Sequence, residues 1–157
     1  MKEYKGTMNG KNKRVGIVVA DFNDLVTQKL LTGAIDELQK LGIESKNLTV
    51  VHVPGAFELP RGAKQLSLTK AYDGLIALGS VIKGETSHYD YICSQTANRL
   101  AQVSLEGQVA VMFGVLTTDN LEQAINRAGG KGGNKGRECA QGLVQMMGLD
   151  DWLTTAS

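Results

Sequence analysis

The sequence predicts an α/β protein: a three-layer sandwich with a four-stranded parallel sheet between helices. Three observations carry that reading. Short continuous apolar runs occur at 14–20 (RVGIVVA), 48–53 (LTVVHV), 74–78 (GLIAL) and 108–116 (QVAVMFGVL), as in strands buried on both faces. Between them lie longer stretches whose apolar residues recur at helical spacing. Strict alternation of the two types implies parallel strands joined by right-handed crossovers. At 157 residues the chain has the size of one domain.

Taken in order, residues 1–13 are polar, contain Gly6, Asn9 and Gly10, and read as an extended arm ahead of a domain at 14–157. The run at 14–20 is the first strand. Asp21, Phe22, Asn23 and Asp24 form a short loop rich in cap residues, and a helix follows over 25–41. Its stripe is Leu30, Leu31, Ala34, Ile35, Leu38 and Leu41, and Gly42 stops it. After the strand at 48–53, the loop 54–60 (PGAFELP) turns into a helix carrying Ala63, Leu66 and Leu68. The third strand, 74–78, leads into a loop that begins at Gly79. Ser87, with Asp90 three positions on, is a weak capping-box signal, which starts a helix at His88 and carries it to about Leu105. The fourth strand, 108–116, precedes a short helix capped by Thr118 or Asp119 and reaching Arg127. A glycine-rich joint at 129–136 (GGKGGNKG) introduces the last helix, from Asn134 or Lys135 to Leu149, with Trp152 in the tail. No repeat at solenoid periods is present.

Composition removes several classes of function. The formal net charge is +1 and no basic face is concentrated in the sequence, so neither nucleic acid nor an anionic membrane is expected as partner. No apolar run approaches the roughly 20 residues of a membrane span, and the lysine-rich start is not a signal peptide. A cytoplasmic location is the expectation. Cys93 and Cys139 fall in expected helices without metal-ligand spacing and read as buried thiols.

The segment Gly79–Tyr91 (GSVIKGETSHYDY) is where chemistry is expected. It joins the carboxyl end of a parallel strand to the amino end of a helix, the place where open α/β sheets bind ligands and where free N–H groups favour an anion. His88 in the first turn is a candidate proton carrier, because imidazole exchanges protons near neutral pH. Phe22, the 55–58 segment, the 80–88 segment and Phe113 all fall at strand exits and should converge on one sheet edge. Their rings offer a face to a planar ligand, and Glu58 can accept hydrogen bonds from hydroxyl or amide groups. The plainer reading makes His88 and Arg127 solvated helix-end residues and the phenylalanines lids on the core. Other α/β classes fail on residue type. The first strand–helix turn (DFND) has neither the glycine fingerprint of a dinucleotide site nor the small-residue phosphate loop of a flavin site. A phospho-accepting receiver domain wants an Asp after the third strand, which here ends in Leu78, Gly79 and Ser80.

Four motifs, VADFN at 19–23, PGAFE at 54–58, GSVIKGETSHYDY at 79–91 and the glycines of 129–136, resemble those of the lumazine synthase family, in order and over almost the whole chain. The resemblance implies a flavodoxin-like topology whose N-terminal arm pairs with a neighbouring subunit. It also implies condensation of 5-amino-6-(D-ribitylamino)uracil with 3,4-dihydroxy-2-butanone 4-phosphate to 6,7-dimethyl-8-ribityllumazine, with no metal or organic cofactor. Carried over by position, Phe22 would stack on the pyrimidine. Ala56, Phe57 and Glu58 would hold the ribityl chain and ring, and Ser80, Val81 and Ile82 would present backbone groups to the ring edge. Glu85 and Thr86 would receive the phosphate, through backbone N–H groups and the Thr86 hydroxyl, with the Glu85 carboxylate turned outward. His88 would move protons, Phe113 would come from a neighbouring subunit, and Arg127 would bind the phosphate with its planar fork. Lys135 and Glu138 either line the site or pair with each other at the surface, and His52 reads as structural. Lys83 and Tyr89 stand where many relatives have arginine and phenylalanine. The resemblance further implies homopentamers, here expected to form a sixty-subunit shell, with the free pentamer as alternative and riboflavin synthase as cargo. Two rival functions are an archaeal-type riboflavin synthase and a shell scaffold without turnover.

Overall fold

The computed structural model describes residues 1–107 and 109–155; Gln108, at the start of the expected fourth strand, lies outside the described residues, as does the end of the 14–157 unit. Strands β1 (Val15–Ala20), β2 (Leu48–Val53), β3 (Gly74–Ile82) and β4 (Ala110–Thr118) form one parallel sheet in the order β2-β1-β3-β4. That is the doubly wound, flavodoxin-like arrangement. Five helices connect and cover it: α1 (Asp24–Lys40), α2 (Leu59–Leu68), α3 (His88–Glu106), α4 (Leu121–Asn126) and α5 (Lys135–Thr155). Side chains from α1, α4 and α5 bury one face of the sheet around Ile17, Leu30, Leu78 and Leu143. Those from α2 and α3 bury the other around Val18, Leu59, Leu75 and Leu100. The apolar runs of β1 and β3 are continuous because both strands are central and covered on both faces. Each fully buried leucine or isoleucine contributes about 1.5–3 kcal/mol.

Several boundaries differ from expectation. β3 does not stop at Leu78 but runs on to Ile82, because β4 continues beside it to Thr118, pairing Gly79 with Val115 and Ile82 with Thr118. Ser80, Val81 and Ile82 are therefore strand residues rather than loop residues. Phe113 is not at a strand exit: it sits within β4, opposite Ala77. The cap of α4 is neither Thr118 nor Asp119 but Asn120, whose Oδ1 accepts from the Gln123 N–H at 2.9 Å. Leu68 is exposed rather than buried. Trp152 lies on α5, which continues past Leu149 to Thr155.

The glycine-rich joint is a small antiparallel hairpin, β5 (Ala128–Gly130) with β6 (Gly133–Asn134). Gly129 and Gly133 have φ of 114° and 83°, values that side chains disfavour, so the reversal that sends the chain back into α5 depends on them. Buried Asn134 then locks the reversal. Its Oδ1 accepts from the Arg137 N–H at 3.1 Å, capping α5, and its Nδ2 donates to the Lys29 carbonyl on α1 at 3.1 Å. The arm lies against α5 of its own chain: Tyr4 stacks on Trp152 with centroids 4.9 Å apart, Lys13 pairs with Asp151, and Gly6 meets the Gln145 backbone. Both cysteines are free thiols, and among the described residues no helix is long and apolar enough to cross a membrane.

Candidate active site

A cavity of about 770 Å³ opens at the carboxyl ends of β1, β2 and β3. Phe22, Ala56, Phe57, Glu58, Ser80, Val81, Ile82, Thr86 and His88 all line it. Three consecutive strand–helix connections meet there, as the sheet topology requires.

The first connection holds Phe22. Asp21 and Phe22 donate backbone N–H groups to Val53 and Pro54 at 2.8 and 2.9 Å, extending the β1–β2 ladder beyond its last strand residues. His52 Nδ1 lies 2.9 Å from Asp21 Oδ1, with both side chains exposed. The Phe22 ring is left 71% exposed, facing open cavity rather than core. Asn23 turns the chain in the left-handed region (φ 65°, ψ 44°), and its carbonyl accepts from Val26 and Thr27 at the start of α1. Its side chain does not cap that helix; Nδ2 donates instead to the Ser80 carbonyl at 2.7 Å.

The second connection is a 3₁₀ turn, Ala56–Glu58, anchored where the Thr96 hydroxyl of α3 donates to the Ala56 carbonyl at 3.3 Å. It sets Phe57 outward and the half-buried Glu58 carboxylate at the cavity wall. The third connection carries Ser80 to His88. The Ser80 hydroxyl is buried without a hydrogen-bond partner. Ser80 shares a strand face with Ile76 and Leu78, which pack toward α1 and α5, so it is the backbone of this residue that borders the cavity. At the start of α3 the expected Ser87 side-chain cap does not form; Ser87 offers only its carbonyl, to the Asp90 N–H at 3.1 Å. Thr86 takes the capping place, its Oγ1 accepting from the His88 N–H at 3.3 Å. One oxygen lone pair is thereby used while the Thr86 O–H still has a proton to donate, beside the amino end of α3. Glu85 is exposed and does not line the cavity. Tyr89 does line it: burial first, then a hydrogen bond with Cys93, pushes its phenol above the usual value, against a hydrogen bond with Thr117 on β4 that lowers it.

Besides Glu85, three expected site residues lie apart from this cavity. Phe113 is 37% exposed on edge strand β4. Arg127 is folded onto its own hairpin, with Nη1 donating to the Gly132 carbonyl at 3.4 Å and Nη2 3.7 Å from Glu138 Oε2. The surface ion pair of Glu138 is thus with Arg127, not with Lys135. Lys135, at the start of α5, is also outside the lining. In consequence, among the described residues, the cavity wall carries Glu58, His88 and Tyr89 as its ionisable groups and no lysine or arginine. Gly55 and Gly84 line the cavity as members of the 55–58 and 80–88 segments expected there, whereas Asn23, Pro54, Tyr89 and Ile92 line it without having been expected to. The one available signal was that Asn23, Pro54 and Tyr89 adjoin residues already placed at a strand exit or helix start, and that Ile92 lies one helical turn after His88.

A model of the 6,7-dimethyl-8-ribityllumazine synthase family matches residues 12–151. The chain belongs to the lumazine synthase family. It is 57% identical to the 6,7-dimethyl-8-ribityllumazine synthase of Levilactobacillus brevis over 154 residues, 98% of each chain. Against the proteins of the same name from Pediococcus pentosaceus and Protochlamydia amoebophila the identities are 53% and 50%, covering 96% and 98% of this chain and 96% and 90% of theirs. Lumazine synthases are enzymes, and the cavity at the strand ends is the candidate active site of this one.

Proposed function

We propose that the protein condenses 5-amino-6-(D-ribitylamino)uracil with 3,4-dihydroxy-2-butanone 4-phosphate to 6,7-dimethyl-8-ribityllumazine, releasing phosphate and water, in the cytoplasm where such polar, phosphorylated substrates are held. The observation that carries the reading is the meeting, in one cavity, of an exposed aromatic face, a carboxylate, a helix amino terminus and an imidazole. Phe22 stacks on the pyrimidine, the Ala56–Glu58 turn takes the ribityl hydroxyls and ring, and the Ser80–Ile82 backbone meets the ring edge. The phosphate binds at the start of α3 through N–H groups and the Thr86 O–H, beside the Glu85 backbone.

In the reaction, the pyrimidine's amine attacks the ketone and water leaves, forming an imine. Phosphate is eliminated, and the second amine closes the ring with loss of water. His88 stands beside the phosphate end and serves to take and return protons in these steps. Holding two substrates together accounts for much of the acceleration, and proton transfer by His88 adds a factor of about 10²–10⁴.

A phosphate dianion in a cavity walled without lysine or arginine needs a cation from outside. Arg127, with Phe113 and Lys135, is supplied by a neighbouring copy, so that the complete site spans two chains of a pentamer. The tight hairpin before α5 is compatible with further assembly into a sixty-subunit shell enclosing riboflavin synthase. Light scattering separates shell from pentamer. The function itself is tested by mixing the protein with both substrates and following lumazine absorbance and phosphate release. Riboflavin from lumazine alone would instead favour the archaeal-type synthase, and no turnover the scaffold.

A further inference from the structure

Asn23 combines three features that the formation of α1 does not require together. Its backbone is left-handed, a conformation that asparagine tolerates better than most residues with a side chain. Its carbonyl closes the first turn of α1, accepting from Val26 and Thr27 at 3.0 and 3.1 Å, so the helix start needs nothing from its amide. That amide instead crosses to Ser80, donating from Nδ2 at 2.7 Å in a half-buried setting. The pairing of β1 with β3 ends at Val19 opposite Leu78, whereas β3 runs on to Ile82. The Ser80 carbonyl therefore projects beyond the end of its ladder toward the side where β1 has stopped. The Asn23 amide stands in for the missing strand partner.

We propose that Asn23 is a positioning residue for the pyrimidine subsite, fixing the Phe22 loop against the end of β3 so that ring face and ring edge are held at one separation. The inference rests on the roles proposed above for Phe22 and Ser80–Ile82. Phe22 is tied on one side by its backbone bond to Pro54. On the other side the Asn23–Ser80 bond is the tie that joins its loop to the strand opposite. Without it the Phe22 loop keeps its hydrogen bonds to the end of β2 and to α1 but loses its tie to β3, and the two walls that grip a planar ring lose their fixed spacing. The phosphate end, built on α3, is not touched by this bond.

The test uses Asn23→Gly, which relieves the left-handed backbone and removes the amide, and Asn23→Ala, which removes the amide and keeps the strain. Phe22→Ala is measured in parallel, and thermal unfolding is recorded for all three in the assembled protein. Both Asn23 variants are expected to raise KM for the pyrimidine by roughly tenfold, the effect of one lost hydrogen bond. KM for the phosphate substrate should change less than about twofold, and Asn23→Ala alone should lower Tm noticeably. Unchanged pyrimidine KM in Asn23→Gly, with Phe22→Ala raising it, overturns the positioning role and leaves the site reading standing. Equal rises in both KM values also overturn it, since a general loosening would act that way. If Phe22→Ala itself leaves the pyrimidine KM unaltered, the site reading and this inference both fail.

Discussion

The proposed division of the site between two chains makes a quantitative demand on mixtures of inactive variants. His88→Ala removes the proposed proton carrier from the cavity of its own chain, and general acid–base catalysis of this kind is worth on the order of 10²-fold or more. Arg127→Ala removes the proposed phosphate contact, which being of the charged kind is worth about 1.5–3 kcal/mol, and should raise KM for the phosphate substrate roughly 10- to 150-fold. Neither change should disturb the fold. His88 is exposed, and the bonds of Arg127 to Gly132 and Glu138 are long, at 3.4 and 3.7 Å, and exposed, so each truncation should cost no more than about 0.5 kcal/mol. When the two variants are co-expressed with different tags in equal amounts, a complete site forms wherever an Arg127→Ala chain supplies the cavity and a His88→Ala chain supplies the adjoining edge. Each condition holds with probability one half, so about a quarter of the sites are intact, whatever the number of chains in a closed ring. Activity at phosphate-substrate concentrations near the wild-type KM should therefore return to about a quarter of wild type. If cavity and Arg127 came from the same chain, no mixed particle would contain a complete site. Mixed particles no more active than the average of the two pure variants would refute the shared site.

Three other predictions rest on single contacts. A Cβ at Gly33 would lie 2.5 Å from the Asn134 side chain, so Gly33→Ala should displace Asn134 from its two hydrogen bonds. The expected loss is about 2 kcal/mol, or roughly 4–8 °C in Tm by calorimetry, and an unchanged Tm would remove the capping role of Asn134. Thr86→Val takes away the free hydroxyl at the start of α3 and should raise KM for the phosphate substrate about tenfold while sparing the pyrimidine; steady-state kinetics in each substrate decides it. Burial, first, and the Glu138 carboxylate, against the opposing Lys135 ammonium, push the Cys139 thiol from 9.0 up to about 11. A group whose folded value is raised stabilises fully below its unfolded value and ceases to do so as pH rises through the folded one, so about 2–3 kcal/mol should disappear between pH 9 and 11. Denaturant melts of Cys139→Ala against wild type should show a shallower alkaline decline; parallel slopes would count against the burial argument.

Much of the fold was legible because central parallel strands have few ways to be written. Val15–Ala20 and Gly74–Leu78 are buried on both faces and are apolar throughout, and the helices between them repeat at 3.6 residues. Once those alternated, the strand-exit rule located Phe22, the Ala56–Glu58 turn, Thr86 and His88 on one edge without further information. What the sequence hid was decided by partners distant along the chain. Gly79 and Ser80 look like loop residues, yet they pair with Val115 and Leu116 because β4 happens to run that far. Thr118 looks like a cap, but it closes β4 and gives its hydroxyl to the Asn120 carbonyl, leaving Asn120 to cap α4. Asn23 reads as a helix cap by type. Only the 2.7 Å approach of Ser80, 57 residues away, shows where its amide goes. The stacking of Tyr4 on Trp152 joins the two ends of the chain and leaves no local pattern at either.

Charge supplies the strongest reason for a site completed between chains. The positive end of α3 offers an anion about 0.3–1 kcal/mol, up to about 2 when partly buried, and the Thr86 hydroxyl adds one hydrogen bond. Against these stands Glu58 in the same cavity, and the lining holds no lysine or arginine to offset it. A phosphate dianion drawn out of water favours a permanent cation nearby, and Arg127, the arginine proposed for it, is held outside the cavity lining by Gly132 and Glu138. That same edge shows unpaired backbone and the Phe113 ring to solvent, a surface that sheets ordinarily cover. In the proposed shared site, laying the β4 edge of one copy over the cavity of another would remove both defects with one contact: the open edge would be shielded, and the guanidinium, held by its own chain only through contacts of 3.4 and 3.7 Å, would be brought to the proposed phosphate position.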